Sequence, residues 1–216
     1  MEVQRLAEGL WRWSGVHPDW QPAPTEDLPG EVGSVLYGAE DAVVLIDPLV
    51  PAQGRERVLA AIDADVERPR RPVAIVLTSP WHARSAVELS VRYGAAVWVH
   101  GDDLPTPLEG ATPFTFGDRL PGAVESFDAH FHGETLLWIP RHRTLVAGDV
   151  LSAPRGELRL APDGWLAEEE RGGRIQASLR SLLDLPVERV LVGHGEPVLT
   201  DAAAALRRAL HAPSAA

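Results

Sequence analysis

Hydrophobic and polar residues alternate at the start of the chain in a pattern typical of β-strands. Residues 3–14 alternate in this way, and the apolar segments 34–37 and 42–47 flank the turn-forming residues 38–41. Residues 15–33 lie between them and contain four prolines, which propagate neither a helix nor a central strand. The pattern therefore predicts a strand, a long Pro-rich loop and a β-hairpin.

The following segment alternates helices with buried strands. Residues 51–66 place apolar side chains at helical spacing, and residues 73–77 are apolar on both faces, as in a buried strand. Residues 83–93 predict a second helix that ends at Gly94, and residues 96–99 predict a short strand. The first half of the chain is therefore βαβαβ-like.

The second half combines short strands with two further helices. Strand-like segments are followed by a helix, another strand and a closing helix, at residues 123–127, 134–139, 144–147, 175–185, 189–192 and 202–210. Sheets in both halves, each followed by helices, favour two sheets packed face to face with helices outside. We therefore predict an α/β (α+β) protein, a four-layer αββα sandwich of two mixed sheets.

Chain length and the absence of long apolar stretches limit the organisation further. A chain of 216 residues favours a single domain over residues 1–216, with a frayed tail at 212–216. Residues 1–15 lack the continuous apolar segment of a signal peptide, and no stretch approaches membrane-spanning length. We expect a cytoplasmic protein that binds no membrane, while the oligomeric state stays open.

Charge and cysteine content restrict the partners and the metal chemistry. The chain has 20 Lys and Arg against 31 Asp and Glu, a net charge of −11, which disfavours nucleic acid as a partner. We interpret the basic cluster of Arg68, Arg70 and Arg71 as a solvated connection between a helix and a strand. Because the sequence has no cysteine, histidines and carboxylates must hold any metal ion.

Three predicted strands end shortly before polar side chains that can bind a metal or a substrate, namely His82, Asp149 and His194. Ligand-binding residues in α/β sheets gather beyond the carboxyl ends of strands, so we expect these three side chains at one edge of the sandwich. Glycine precedes Asp149 and flanks His194 on both sides, which permits tight turns and close backbone approach.

The chain resembles the metallo-β-lactamase superfamily at four segments that occur in the order typical of that family. These are Leu45-Ile46-Asp47-Pro48, Leu77-Thr78, Ala147-Gly148-Asp149 and Val192-Gly193-His194-Gly195. The resemblance spans nearly the whole chain and implies an αββα fold. It also implies a zinc- or iron-dependent hydrolase, in a family whose members act on β-lactams, thioesters, lactones and nucleic acids.

The defining metal-binding loop of this family, T-H-x-H-x-D-H, is degenerate here. With Thr78 as the anchor and one inserted residue, Ser79 replaces the first histidine, His82 matches the second, and Arg84 and Ser85 replace the aspartate and the last histidine. An ungapped alignment leaves no ligand in the loop, because the four family positions then hold Ser79, Trp81, Ala83 and Arg84.

The resemblance implies four candidate metal ligands, His82, His130, Asp149 and His194. His130 lies where the family has a histidine ahead of the Gly-Asp pair, with His132 as its competitor. Asp149 matches the carboxylate that bridges two metals and is also the candidate catalytic residue. A catalytic zinc needs three protein ligands and a water, so His82, His130 and Asp149 suffice, with His194 in support. We expect one divalent metal, zinc before other ions, with a metal-free site as the alternative.

Trp81, Arg84 and His132 are the candidate substrate-binding residues. A guanidinium at position 84 repels a second dication, so at most one metal is expected. If Arg84 points inward, it can clamp a carboxylate or phosphate; if it points outward, it is only a charge on the second helix. Trp81 beside His82 is expected to wall an apolar pocket, and His17 reaches the site only if the Pro-rich loop folds over it.

Three functions follow as hypotheses. The leading one is a metal-dependent hydrolase that acts on a small ester, thioester, lactone or phosphoester. The second is a metal-free binding or regulatory module for a small molecule, with an anionic ligand suited to Arg84. The third is a metal-independent hydrolase that uses Ser79 or Ser85 with His82, although no G-x-S-x-G motif surrounds either serine.

Overall fold

The computed structural model describes residues 3–19, 30–66, 71–101, 108, 110–162, 165–168 and 173–211. Trp20, Arg68, Arg70, the centre of the Pro-rich loop and the tail at 212–216 lie outside the described residues.

Among the described residues, seven strands form the larger sheet. They are β1 (Val3–Ala7), β2 (Leu10–Val16), β3 (Glu31–Gly38), β4 (Val43–Ile46), β5 (Val73–Val76), β6 (Ala96–His100) and β7 (Thr112–Phe114), and they lie side by side in chain order. The pairs from β1 to β4 are antiparallel, and those from β4 to β7 are parallel. The sheet is therefore mixed, as predicted.

In the described ranges, the second sheet has four strands in the order β13-β10-β9-β8. They are β8 (Glu125–Asp128), β9 (Thr135–Ile139), β10 (Thr144–Ala147) and β13 (Arg189–Val192). Strands β10 and β13 pair in parallel, while the other pairs are antiparallel. A short separate pair is formed by β11 (Leu151–Ser152) and β12 (Arg159–Leu160).

Four α-helices accompany these sheets among the described residues. They are α1 (Arg55–Val66), α2 (Ala86–Tyr93), α3 (Arg174–Ser178) and α4 (Ala202–His211). In the part of the chain that the structure describes, no helix combines the length and the apolar composition needed to cross a membrane.

In the part of the chain that the structure describes, three buried apolar clusters show how the layers stack. One contains Val58 and Ile62 of α1 with strand residues of the larger sheet, and another contains Leu206 of α4 with strand residues of the smaller sheet. The third joins the inner faces of both sheets through side chains such as Ile46 and Leu137. This arrangement confirms the predicted αββα sandwich.

Some element boundaries differ from the sequence prediction. The segment 3–14 is a hairpin rather than one strand, because Gly9 adopts a φ of 71° between β1 and β2. Strands β2 and β3 also extend into the predicted loop at both of its ends, where they pair with each other. The predicted helix 83–93 begins only at Ala86, and a 3₁₀ turn at Pro80–His82 precedes it.

The carboxyl ends of four strands meet at one edge of the sandwich. Strands β4 and β5 pair in parallel in one sheet, and β10 and β13 do so in the other. The backbone N–H of Gly33 on β3 donates to the carbonyl of Gly193 after β13 at 2.8 Å, which ties the two sheets together there. The residues after these four strands are consequently close in space.

Candidate functional site

Three of the predicted site residues converge beyond the strand ends. His82 Nε2 lies 3.3 Å from Asp149 Oδ2, and His194 Nε2 lies 3.4 Å from Asp149 Oδ1. Both histidines are buried, whereas the Asp149 side chain is 31% exposed. Asp149 therefore joins the two imidazoles and faces the solvent at the mouth of the site.

The loop after β5 turns His82 into the protein. Ser79 has an extended backbone, its hydroxyl accepts a hydrogen bond from the Trp81 N–H at 3.3 Å, and Pro80 follows as the first residue of the 3₁₀ turn. Serine at an N-cap and proline directly after it are a common start of a helical turn. The local sequence thus explains why His82 points back toward the strand ends.

Asp47 and Thr78 hold the inner side of the His82 ring. The buried Asp47 carboxylate accepts hydrogen bonds from the Thr78 N–H at 2.8 Å and the Thr78 hydroxyl at 2.5 Å, and it lies 3.1 Å from His82 Nδ1. Such a carboxylate fixes the orientation of an imidazole and places a proton on Nδ1. The outer nitrogen, Nε2, consequently faces Asp149.

The side chains of Asp47, His82 and Asp149 shift one another's pKa values. Burial alone would lower the pKa of His82, but the Asp47 and Asp149 carboxylates outweigh it and raise the pKa to about 10. Burial opposes ionisation of Asp47 and of Asp149 as well, yet His82 holds the pKa of both carboxyls below the ordinary value. At neutral pH the imidazole is thus a cation between two anions.

Arg84 points into the protein, which decides between the two orientations left open by the sequence. Its Nη1 donates to the carbonyls of Gly33 at 2.7 Å and Asp47 at 2.8 Å. Burial lowers the pKa of the guanidinium, and the negative charges of Asp47 and Asp149 counteract this effect. His17, after β2, also belongs to this region, because burial and then the charge of Arg84 lower its pKa.

Glu134 is a buried acid at this site that the sequence did not single out. Its carboxylate accepts the backbone N–H groups of Gly148 at 3.0 Å, Asp149 at 2.7 Å and Val150 at 3.1 Å. Burial, and then the neighbouring Asp149 charge, raise the pKa of Glu134 to about 8. Glu134 therefore shapes the turn that presents Asp149, and an acidic residue beside a strongly apolar strand was its only signal in the sequence.

The structure does not bring His130 into this group. Its Nδ1 pairs with Asp128 Oδ2 at 3.2 Å, and the side chain is 48% exposed. His132 is exposed as well, and its Nε2 lies 2.7 Å from the Trp165 carbonyl. The expectation that both histidines share one face of an extended segment is wrong, because their φ angles of 52° and 45° belong to turns.

Trp81 and the two serines of the loop have structural surroundings that differ from their predicted roles. Trp81 is 74% exposed and is not enclosed as a pocket wall. The Ser79 hydroxyl caps the 3₁₀ turn, and the Ser85 hydroxyl accepts a hydrogen bond from the Val50 N–H at 2.9 Å. Both hydroxyls are therefore engaged with the backbone rather than with His82.

The donor set does not fit the catalytic zinc site that the family resemblance implies. Asp149 turns a different carboxylate oxygen to each of the two imidazoles, and His130, the other histidine of the expected ligand set, lies apart from them. Among the described residues, no group of three or more His, Cys, Asp or Glu side chains is arranged to hold a metal ion. The inward guanidinium of Arg84 also disfavours a dication next to Asp149.

Comparisons with known proteins identify the fold. No protein-family model and no curated protein matches the sequence. A metallo-β-lactamase from Pontibacter korlensis superposes with a TM-score of 0.68 and 15% identity, over 98% of this chain and 99% of that one. The DIM-1 metallo-β-lactamase, in a structure described as exposed to ceftazidime, gives 0.67 and 13% over 97% and 95%. The metallo-β-lactamase IND-7 gives 0.65 and 13% over 98% of both chains. The chain therefore has the metallo-β-lactamase fold, which confirms the sequence resemblance at the level of the fold.

Proposed function

From the metallo-β-lactamase fold of this chain and the charges at its strand ends, we propose a metal-free site that binds a small molecule. The observation that carries this proposal is the network in which the His82 imidazole lies between the carboxylates of Asp47 and Asp149, with Arg84 beside them. Within these four side chains, two anions face two cations.

Charge and solvation support this assignment. Buried charges are stable only when each has a partner, and here every charged side chain has one. A dication would have to displace the proton of His82, whose pKa is about 10, and would stand close to a guanidinium. Metal binding would thus replace the ion pairs that His82 makes with Asp47 and Asp149.

The ligand class follows from the groups left for binding. Within the described residues, the hydrogen bonds of Arg84 both come from Nη1, which leaves its Nε and Nη2 donors for a ligand. A planar guanidinium binds a carboxylate or phosphate through two parallel hydrogen bonds. Asp149 at the mouth suits a hydroxyl or amine on the same molecule. A small anionic compound that also carries a donor group fits both.

Metal analysis tests the metal-free state directly. Wild-type protein purified without a His tag is expected to contain far less than one zinc, iron or manganese ion per chain, and EDTA should leave its Tm unchanged. The metal-free proposal is wrong if the wild-type protein contains one metal ion per chain, the Asp149→Ala variant contains none and the His130→Ala variant retains it. His130 is the matched control, because its imidazole pairs with Asp128 on the surface.

Anion binding tests the role of Arg84. Titration with phosphate and with acetate, followed by NMR, is expected to shift resonances of residues around Arg84 and His194 in wild type. Arg84→Gln should weaken this binding by at least about tenfold, since the charge and the bidentate geometry are lost. Arg141→Gln is the control, because Arg141 is an exposed arginine on a distant turn. Equal affinities in wild type and Arg84→Gln would refute the ligand assignment.

A one-metal hydrolase is the second candidate, and one observation favours it. Asp47 holds His82 by Nδ1 and leaves Nε2 facing outward, which is how carboxylates support metal-binding histidines. His82, Asp149 and His194 would hold the ion, zinc first, in an enzyme acting on a small ester, thioester, lactone or phosphoester. Calorimetric titration with zinc separates the two candidates. A one-metal hydrolase is expected to bind one zinc ion per chain, and His194→Ala is expected to abolish this binding. The metal-free site is expected to bind no zinc.

A further inference from the structure

A separate cavity lies between the larger sheet and α1, and it shares no lining residue with the strand-end site. Its volume is about 200 Å³, and its walls include Trp11, Trp13, Leu36, Ile62, Ala61 and Asp65. The walls are almost entirely apolar. It is a cleft that is partly open to solvent, and the proposed function does not involve it.

The sequence explains why this space exists. Trp11 and Trp13 are two residues apart on β2 and therefore point to the same face of the sheet, toward α1. Ile62 of α1 packs against this face and is fully buried, whereas Ala61 and Ala64, which also line the cavity, are exposed and leave it open to solvent. Alanines on the helix opposite two large indoles leave the gap.

One acidic side chain supplies the polar end of the cavity. Burial raises the pKa of Asp65, although the nearby Arg71 and Arg5 counteract the effect. Within the described part of the chain, no cation lies within ion-pair distance of Asp65. The indole N–H of Trp13 is already used, because it donates to the Leu49 carbonyl at 2.6 Å. A ligand would therefore meet one partly buried carboxylate, apolar walls and, at the rim, the Arg5 guanidinium 5.5 Å from the centroid of the Trp11 ring.

We propose that this cavity binds a small arylalkyl amine, with the hydrocarbon part between the indoles and α1 and the ammonium at Asp65. Its volume is below the roughly 300–1,000 Å³ of sites for drug-sized ligands, so the ligand is fragment-sized. Apolar cavities of about 150 Å³ bind benzene-sized molecules. Indole faces attract cations, and the carboxylate adds the matching charge. This inference is independent of the strand-end site.

Binding of phenethylamine, measured from NMR shifts of the tryptophan indole N–H groups, tests the proposal. We expect saturable binding, with Ala61→Leu weakening it by at least about tenfold because the leucine enters the cavity. Ala60→Leu is the matched control, since Ala60 is an exposed neighbour on α1 that does not line the cavity. Ala64→Leu serves as a second blocking variant if Ala61→Leu does not fold.

Two comparison compounds test the charge. Phenethyl alcohol is expected to bind more weakly than phenethylamine, and hydrocinnamate more weakly still. Asp65→Asn should abolish the preference for the amine, while Glu56→Gln, an exposed change on the same helix, should preserve it. The proposal is overturned by any of three results: no saturable binding of phenethylamine, undiminished binding in the blocking variants, or hydrocinnamate binding as tightly as the amine.

Discussion

His82 shows how the surroundings of one side chain decide its charge. The imidazole lies between Asp47 and Asp149, and its pKa of about 10 keeps it protonated far above the ordinary value of 6.5. A solvated histidine would be mostly neutral at pH 7. The sequence identified His82 as a candidate site residue, but only the two carboxylates, which come from distant segments, establish that it is a cation.

This charge predicts a decline of stability toward alkaline pH. A group whose pKa is higher in the folded than in the unfolded state stabilises the fold below the unfolded value, and this contribution is lost as the pH rises through the folded value. For His82 the loss occurs between 6.5 and about 10, and for Glu134 between 4.5 and about 8. The free energy of unfolding, measured with urea, is therefore expected to decrease from about pH 5 to pH 10.

Two variants separate the contributions of these groups. Glu134→Gln should flatten the profile mainly below pH 8, because the amide no longer titrates there. The exposed His130 is the control, and His130→Gln should leave the profile unchanged. A wild-type profile that is flat up to pH 10 would contradict the charge state assigned to His82.

At the scale of elements, the turn after β10 depends on a glycine. A Cβ on Gly148 would lie 2.7 Å from Thr78 Oγ1 and 2.9 Å from His82 Cε1 and from Glu134 Cδ. Gly148→Ala is expected to destabilise the fold by about 1–3 kcal/mol, the usual cost of overpacking, and to displace the His82 ring. Chemical denaturation and the His82 NMR signals measure the two effects.

Gly38→Ala is the control variant for Gly148→Ala. A Cβ on Gly38 would meet its nearest atoms, those of the Arg71 guanidinium, at 3.5 Å, which is an ordinary contact. Gly38→Ala should consequently cost much less than Gly148→Ala. If both substitutions lowered the free energy of unfolding equally, the close contacts of Gly148 with the site would not explain the need for glycine at this position.

Strands and helices with a clear local sequence pattern were predictable. Segments whose backbone depends on contacts with other residues were not. The buried strands β5 and β13 follow from short apolar runs, and α2 ends at Gly94, which has a φ of 62°. The turns at His130 and His132 were missed, because their backbone follows contacts such as the bond from the His130 N–H to Asp128 rather than an alternating pattern. The fourth strand of the parallel group, β7, was not predicted either.

At the scale of the whole molecule, the cluster between the sheets predicts cooperative unfolding. Leu137 of β9 and Ile46 of β4 are fully buried in this cluster, which draws on both halves of the chain. We propose that residues 1–216 form a single domain. Leu137→Ala is then expected to cost about 2–5 kcal/mol and to shift one common transition. Circular dichroism and tryptophan fluorescence should give coincident curves.

Leu199→Ala is the control for this experiment, because Leu199 is 42% exposed and its truncation should cost much less. If Leu137→Ala produced two separate transitions, the halves of the sandwich would be independent units and the single-domain proposal would be wrong.

The sequence by itself determined the order of most strands and helices, the layered fold and the position of His82, Asp149 and His194 at strand ends. These features depend on hydrophobic periodicity and on glycine and proline, which act over a few neighbouring residues. The tertiary structure alone decided that Arg84 points inward, that His130 lies apart and that Glu134 supports the Asp149 turn. It also decided the charge of His82 and the cavity beneath α1, because these properties arise between segments that are distant in the chain and meet only after folding.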